Sequence, residues 1–507
     1  MNIAPSADTT AAGTRPDTGP RAALSVENRC LRRADPRFLL PAAPRTMTVL
    51  PGAEPWAEGL RRSGVRTAVG DEVPDLVVAP GGAALEAARA GAPMVVLEGA
   101  RGRRTLEAAD YHTRSWMPLP SLEAPRALIP VGHPADVARY AVRSWAASDQ
   151  AWKRARNLAA GTLLGHRAPA EVRRTVTIGL RSQAPSFLMA AARGLGLPVD
   201  APFLLNLGGD DILSRAAFQI FPKSSSSPAW VLKFSRVRGY DRPFIDDERG
   251  LGLIAGAGAT AASRAPRLLG RFQVDGYHAS VETAAVGMPL DHFLGSSKPR
   301  PTKLAVVDGI ASWILDVAKS TASSSALLNE ERRRLTGEVL PQWGVAPELA
   351  GGLAGVPAVL QHNDLGCWNM VVGDGDFGVI DWESTRAHGF PLWDLFYFLT
   401  DALALVDGVG ETGWDGYVTR LYRGELPSSA VLFAWTRRMV STLGIPPHAV
   451  GPLAALCWMH HGMSHLSRQE VGNRFQADVS KLPRAERVAP LWLSDPALGT
   501  DWSCWRA

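Results

Sequence analysis

The amino-acid sequence predicts an α+β protein with a small antiparallel β lobe and a larger helical lobe, preceded by a small α/β domain with a parallel sheet. Three changes of pattern along the 507 residues indicate this organisation. Short β-branched runs alternate with helical stretches in residues 37–150, strand-like segments separated by turns dominate 196–290, and long helical patterns dominate 291–507. The two lobes are expected to enclose a cleft.

The composition narrows the classes of function. Hydrophobic residues make up 46% of the chain and charged residues 20%, which is ordinary for a folded protein. The net charge of +5 is small and spread out, so nucleic acid is not an expected partner. The most apolar stretch, residues 390–406, contains Asp394 and Asp401, which favours a buried helix over a membrane span. The N-terminus lacks the apolar core of a secretory signal, and the four scattered cysteines suit a reducing, cytoplasmic location.

The N-terminal part of the chain divides into three predicted segments. Residues 1–36 have few large apolar groups and are predicted to be a disordered tail. In 37–150 the runs "TMTVL", "DLVVAP" and "PMVVLEG" alternate with helical segments, which is typical of a Rossmann-like parallel sheet. No G-x-G-x-x-G follows the first of these strands, so the sequence assigns this domain no chemistry. The Arg- and Ala-rich residues 151–195 are predicted to form a helical connector.

One segment in the second half of the chain carries polar side chains in a regular order. "VLQHNDLGCWNMVV" contains His362, Asp364 and Asn369, and "GVIDWE" then contains Asp381 and Glu383. Phosphoryl transfer needs parts of this kind. One carboxylate accepts the proton of the attacking hydroxyl, while a further carboxylate and an amide hold magnesium against the phosphates.

These motifs resemble the aminoglycoside phosphotransferase and choline kinase-like family, whose members share the two-lobed protein kinase-like fold. The resemblance rests on "VLKF", "LQHNDLGCWNMVV" and "GVIDWESTRAHGFPLWDL" and covers about residues 200–480. It does not extend to the N-terminal domain.

The resemblance implies a role for each matching residue of the helical lobe. Asp364 would be the catalytic base that orients the acceptor hydroxyl, and His362 would support the loop. Asn369 would bind magnesium. Asp394, in "PLWDL", would anchor the catalytic loop by accepting backbone N–H bonds, or would be an ordinary carboxylate at a helix N-terminus; both interpretations stay open.

The stretch "GDGDFGVIDWE" offers two aspartates for the metal, because it also contains D-F-G, the kinase motif whose aspartate holds magnesium. A hairpin with a three-residue turn at 374–376 would place Asn369 opposite Asp381, with Cβ atoms about 5 Å apart. Asp376 would then be a turn residue, roughly 16 Å away. Asp381 is therefore the predicted ligand. Glu383, two residues on, is expected to face the same cleft.

In the small lobe, Lys233 ends the apolar strand "AWVLKF", and Glu248 begins a helical pattern fifteen residues later. A strand lysine held by a helix glutamate is the device that positions the α- and β-phosphates of a nucleotide. Asp246 and Asp247 are alternative partners. Glu248 is preferred because its spacing to Leu251 favours the cleft side of the helix.

The nucleotide loop is expected in "NLGGDDILSRAAF", residues 206–218. Gly208 and Gly209 would shape its turn, and Ser214 would offer a hydroxyl. The strand "SVETAAVG" leads into the connection between the lobes, where backbone groups from Glu282 to Ala284 would bind adenine.

These features together predict an ATP- and Mg²⁺-dependent phosphotransferase acting on a hydroxyl of a small molecule: an aminoglycoside, a sugar or an amino alcohol. Two alternatives stay open. The N-terminal domain could add a methyl- or glycosyl-transfer activity, or the chain could be a nucleotide-binding scaffold without turnover. The sequence predicts no oligomeric state.

Overall fold

The protein has mixed α and β content, with one large sheet. The computed structural model describes residues 36–54, 60–61, 64–99, 101–119, 125–131, 137–141, 175–207, 213–223, 225–373, 375–410, 413–463, 484–495, 498–499 and 502–506. The predicted tail, up to residue 35, lies outside these residues. Pro36, its last residue, is buried in a short 3-10 helix, Pro36–Leu39.

The strands share short lengths and are numbered in chain order. They are β1 (Thr46–Val49), β2 (Arg66–Thr67), β3 (Leu76–Pro80), β4 (Met94–Glu98), β5 (His112–Leu119), β6 (Ala127–Pro130), β7 (Val176–Leu180), β8 (Phe203–Asn206), β9 (Ala216–Ile220), β10 (Trp230–Phe234), β11 (Leu268–Val274), β12 (Tyr277–Thr283), β13 (Met288–Pro289), β14 (Val359–Gln361), β15 (Met370–Gly373), β16 (Asp376–Val379) and β17 (Arg386–Gly389).

The α-helices before residue 242 are short, and all of the long ones come after it. They are α1 (Ala84–Arg89), α2 (Arg103–Ala108), α3 (Phe187–Ala191), α4 (Arg242–Gly256), α5 (Ala259–Ala262), α6 (Leu290–Gly295), α7 (Arg300–Thr321), α8 (Asn329–Arg334), α9 (Leu340–Gln342), α10 (Glu348–Gly351), α11 (Trp393–Val406), α12 (Trp414–Arg423), α13 (Ser429–Leu443), α14 (Val450–Gly462) and α15 (Arg484–Ser494). Two 3-10 helices, Cys367–Asn369 and Trp382–Ser384, belong to the site described below.

Within the described residues, twelve strands form one sheet in the order β11-β12-β10-β9-β8-β6-β5-β7-β4-β3-β1-β2. The pairs β1–β2, β1–β3 and β3–β4 are parallel, as the alternation of strands and helices predicts, and the other pairs are antiparallel. The prediction of a parallel sheet for 37–150 is therefore wrong for β5 and β6, which pair antiparallel with each other. The connection between them is shorter than the roughly dozen residues that a parallel crossover needs. The sheet is continuous from the predicted N-terminal domain into the small lobe through β6 and β8. The domain boundaries themselves remain predictions.

The helical connector predicted for 151–195 is wrong at β7. Val176–Leu180 is a strand with all five residues buried, and it pairs with β4 on one side and β5 on the other. The sequence "VTIGL" has the β-branched residues that such a central position favours. The Arg- and Ala-rich composition of the surrounding residues hid this short run. Residues 151–174 lie outside the described part.

The strand-like segments predicted for 196–290 are observed as β8 to β12, and the paired strands among them are antiparallel. The helical pattern predicted at Glu248 is α4, which follows β10. In the C-terminal half, a large apolar core forms around α7, α11 and α14, with Trp393 and Trp458 fully buried. None of the helices in the described ranges has both the length and the apolar character that a membrane crossing requires.

Helix α4 approaches the chain after β16 very closely. A Cβ atom on Gly250 would lie 2.2 Å from the backbone oxygen of Trp382 and 2.6 Å from Oγ1 of Thr385. Gly252, half a turn further along α4, has open space around its Cβ position. Only glycine therefore permits this approach at position 250, whereas position 252 makes no such demand.

This difference gives a matched pair of substitutions. Gly250→Ala gains roughly 1 kcal/mol of helix propensity, but forces the backbones apart, and overpacking of this kind costs about 1–3 kcal/mol. We expect a net loss of stability, whereas Gly252→Ala should stabilise the protein by roughly 0.5–1 kcal/mol. Urea unfolding of both variants checks this. Equal stabilisation by the two alanines would contradict the close approach.

A second prediction concerns acid sensitivity. His461 is buried in α14, and its ring stacks on Tyr397 with the centroids 3.9 Å apart. Burial, together with the charge of Arg334, lowers the pKa of His461 to about 3. In the unfolded chain His461 therefore binds a proton near pH 6.5, whereas in the folded protein it binds one only near pH 3. This stability is complete above the unfolded pKa and is lost as the pH falls below it, by about 1.4 kcal/mol per pH unit.

Replacing His461 by Phe keeps an aromatic ring and removes the titrating group. Between pH 6 and pH 4, the free energy of unfolding of His461→Phe should fall less steeply than that of the wild type, by about 1.4 kcal/mol per pH unit. Urea unfolding at several pH values measures the slope, and the values at pH 8 serve as the internal reference. Identical slopes would show that His461 is not the group responsible.

Candidate active site

The loop after β14 is held by one carboxylate. Asp394, in the first turn of α11, accepts hydrogen bonds from the backbone N–H of His362 (2.7 Å, Oδ2) and of Asn363 (2.8 Å, Oδ1). Asn363 has a φ of +66°, so the chain turns sharply here. Asp394 thus lies at a helix N-terminus and also fixes the loop, which unites the two interpretations left open by the sequence. Burial raises the pKa of Asp394 to about 7, although the two N–H donors act to lower it.

His362 is a packing and hydrogen-bonding residue of this loop. Its Nε2 lies 3.1 Å from the backbone oxygen of Ile380, and its ring meets that of Trp382 edge-on at 4.7 Å. Burial lowers the pKa of His362 to about 4, so the ring is neutral near pH 7. In the neutral ring Nε2 carries the proton, and it donates a hydrogen bond to the backbone oxygen of Ile380. The contacts place His362 behind the loop, against the segment that carries Asp381.

Asp364 and Asn369 contact each other directly. Nδ2 of Asn369 donates to Oδ2 of Asp364 at 3.0 Å and to its backbone oxygen at 2.8 Å. Asn369 is 5% exposed and ends the 3-10 helix Cys367–Asn369. Since the amide nitrogen is engaged, the amide oxygen is the end of Asn369 that suits a cation.

The predicted hairpin forms, but its register is one residue different. Met370 pairs with Val379 and Gly373 with Asp376, so only two residues separate the paired strands, and one of them, Gly375, has a φ of +80°. The predicted turn had three residues. As a result, Asn369 faces Ile380 and not Asp381. The backbone N–H of Ile380 donates to the backbone oxygen of Asn369 at 2.9 Å.

Asp381 reaches the site by a local turn. It has a φ of +70° and immediately precedes the 3-10 helix Trp382–Ser384, which also carries Glu383. Asp376 is the first residue of β16, not a turn residue as predicted, and its side chain is 63% exposed and ion-paired with Arg264. Of the two aspartates, the structure brings only Asp381 toward the candidate site.

Lys233 in β10 is held by two carboxylates, neither of which is the predicted Glu248. Its Nζ lies 3.0 Å from Oδ2 of Asp247 and 2.9 Å from Oε1 of Glu282. Burial alone would lower the pKa of Lys233, but the two negative charges outweigh it and raise the pKa. Glu248 is exposed and pairs with Arg271 at 2.7 Å.

The buried stripe of α4 explains the correction. Phe244, Asp247, Leu251 and Ile254 are all buried, at helical spacings of three and four residues. Both Asp247 and Glu248 have a suitable spacing to Leu251. Both also have it to Phe244, at three and four residues. Only Asp247 lies two full turns, seven residues, before the buried Ile254, which is therefore the residue that decides the face.

Arg215, a residue that the sequence analysis did not select, binds three carboxylates. Nη1 lies 2.9 Å from Oδ2 of Asp247, while Nη2 contacts Asp381 and lies 3.1 Å from Oε2 of Glu383. Arg215 immediately precedes β9, and its side chain is 9% exposed. The sequence did offer a signal for this residue: in "LSRAAF" an arginine directly precedes an apolar strand, inside the segment expected to form the nucleotide loop.

The structure describes some of the predicted nucleotide-binding groups and not others. Gly208 and Gly209 lie outside the described residues, and Ser214 lies in the bend directly before Arg215. The backbone N–H of Ala284 donates to the oxygen of Ala229 at 2.9 Å, so it is not available to adenine as predicted. Glu282 lies inside β12 between β10 and β11, and contributes its side chain to the site instead of its backbone.

The site contains the types of donor that magnesium takes when it binds together with phosphates. Within the described residues, no group of three or more His, Cys, Asp or Glu side chains could hold a metal by itself. Magnesium usually takes one or two protein carboxylates and completes its shell with phosphates and water. The Asp381 carboxylate and the Asn369 amide oxygen are donors of that kind.

Comparisons with known proteins found matches among solved structures. No curated protein matches the chain. Solved structures that match include the GDP complex of an aminoglycoside 2'-phosphotransferase mutant (14% identity, 52% of this chain and 85% of that chain, TM-score 0.30). Another is an aminoglycoside phosphotransferase from Streptomyces rimosus (15%, 51% and 91%, TM-score 0.31), and a third is a glucosamine kinase (15%, 61% and 96%, TM-score 0.29). These scores are too low to support an argument about the fold.

The match to a family model is located on the site itself. Residues 316–439 match the model of the phosphotransferase enzyme family, APH. This segment contains the loop with Asp364 and Asn369, the segment with Asp381, and the anchor Asp394. The resemblance to the aminoglycoside phosphotransferase family that these motifs predict is thereby confirmed for residues 316–439.

Proposed function

We propose that this protein is an ATP- and magnesium-dependent phosphotransferase that transfers the γ-phosphoryl group to a hydroxyl of a small molecule. The observation that carries the proposal is the hydrogen-bonded pair of Asp364 and Asn369, on a loop anchored by Asp394 and next to the segment of Asp381. The family match over 316–439 supports it.

Each residue has a part in this reaction. Asp364 accepts the proton of the acceptor hydroxyl as the new bond to the γ-phosphorus forms and the bond to the bridging β–γ oxygen breaks. Asn369 holds one oxygen of the Asp364 carboxylate in place by its 3.0 Å hydrogen bond. Asn369 and Asp381 would hold magnesium, which neutralises charge on the phosphates when bound. Lys233, fixed by Asp247 and Glu282, is expected to contact the α- and β-phosphates.

The acceptor is proposed only as a class: an aminoglycoside, another sugar or an amino alcohol. Trp368, which is 46% exposed and directly precedes Asn369, offers an aromatic surface on the loop that carries the candidate base. Among the described residues, no specific observation favours a second transferase activity in residues 37–150. The intact set of Asp364, Asn369 and Asp381 speaks against a scaffold without turnover.

Asp364→Asn tests the candidate base. The amide keeps the size of the side chain but cannot take the proton, and general-base catalysis is worth roughly 100- to 10,000-fold. We expect a loss of that size in ATP consumption against a panel of sugars, aminoglycosides and amino alcohols, with nucleotide binding nearly unchanged. If no acceptor gives turnover that Asp364→Asn abolishes, under any divalent metal, the proposed function is wrong.

The two aspartates of "GDFGVIDWE" form a matched pair. Asp381→Asn weakens a proposed metal ligand. Loss of a residue that only hydrogen-bonds a metal ligand already costs roughly 10- to 100-fold, so metal-dependent activity should fall at least that much. Asp376→Asn removes an exposed ion pair, worth about 0–1 kcal/mol, and should leave activity nearly intact. Activity measured as a function of Mg²⁺ concentration for both variants shows which aspartate supports the metal-dependent activity. A larger loss in Asp376→Asn would reverse the assignment.

A further inference from the structure

The two ends of the Arg215 guanidinium have different surroundings. Nη1 contacts Asp247, whose side chain is only 3% exposed and is also bound to Lys233. Nη2 contacts Asp381 and Glu383, whose side chains are 35% and 33% exposed. Nη1 therefore contacts a buried carboxylate, while Nη2 contacts two partly exposed carboxylates that a ligand can reach.

The partners of Nη2 are also the groups that a metal would take. A hard divalent cation prefers carboxylate oxygens, and Asp381 is the proposed metal ligand. A guanidinium and a metal ion repel each other, so the two cations compete for the charge of the same carboxylates. Entry of a metal at Asp381 and Glu383 would weaken the attraction of both counter-ions for Nη2.

A nucleotide phosphate is the partner that would replace them. The planar fork of arginine matches the oxygens of phosphate as well as those of carboxylate. Arg215 lies within residues 206–218, where the nucleotide loop is expected, and Lys233, the other proposed phosphate contact, shares Asp247 with it.

We propose that Arg215 is a phosphate-binding residue whose Nη2 is held by Asp381 and Glu383 until a metal–nucleotide complex binds. This inference rests on the proposed function. Metal alone should bind weakly, because Arg215 already neutralises the metal ligands. Nucleotide alone should bind weakly, because these carboxylates hold Arg215 and repel phosphate. The two should bind cooperatively.

The experiment measures binding and does not depend on an acceptor. Mn²⁺ affinity without nucleotide is measured from the electron paramagnetic resonance signal of free Mn²⁺. ADP affinity with and without Mg²⁺ is measured by calorimetry. For Arg215→Met, we expect Mn²⁺ to bind about tenfold more tightly and Mg²⁺–ADP about tenfold more weakly than in the wild type. Arg264→Met, which removes the exposed ion pair with Asp376 at the other end of β16, should change neither affinity.

Arg215→Lys covers the case in which Arg215→Met fails to fold, because it keeps a positive charge among the three carboxylates. It loses the fork, so Mg²⁺–ADP should still bind several-fold more weakly. Wild-type affinities for Mn²⁺ and ADP in the Arg215 variants would overturn the inference and leave the proposed function standing. A wild-type protein that binds no Mg²⁺–ADP would overturn both. Weaker binding of Mn²⁺ and of ADP alike, with a lower melting temperature, would show that Arg215 is only a structural ion pair.

Discussion

The site depends on one buried carboxylate, Asp247. Its Oδ2 accepts from both Lys233 and Arg215, and its Oδ1 accepts the backbone N–H of Trp382 at 2.8 Å. Burial would raise its pKa, but the two cations and the N–H outweigh this and lower the pKa of Asp247 to about 2. Breaking such a group by removing one partner costs about 3–5 kcal/mol, because the remaining charges stay buried without compensation.

Asp247 joins three parts of the chain that are far apart in sequence. It belongs to α4, Lys233 to β10, and Trp382 to the segment after β16. The hydrogen bond to Trp382 is possible because Gly250, one turn further along α4, lets the two backbones come together. Since Asp381 is the residue before Trp382, the same contact fixes the position of the proposed metal ligand relative to the proposed phosphate-binding lysine.

The sequence predicted that Asp364 and Asn369 belong to one short segment of the site, because their order and spacing are local. Asp364 and Asn369 are five residues apart and meet within a single loop. It failed where the outcome depends on a single residue or on distant partners. The length of the hairpin turn changed by one, which moved Asn369 from Asp381 to Ile380. The choice between Asp247 and Glu248 depended on which face of α4 is buried, and β7 depended on pairing with β4 and β5.

The charges of the site favour a metal-dependent reaction. Around Lys233 and Arg215, the described residues place Asp247, Glu282, Asp381 and Glu383, so carboxylates outnumber cations by two. Burial raises the pKa of Glu282, which reduces the excess when that group takes up a proton. A nucleotide brings several more negative charges into this surrounding, where they are screened less than at the surface. A divalent cation on Asp381 would offset part of both the carboxylate excess and the nucleotide charge, and it would also free Arg215 to contact phosphate. The carboxylates that would repel a bare nucleotide are therefore the groups that would make its metal complex bind.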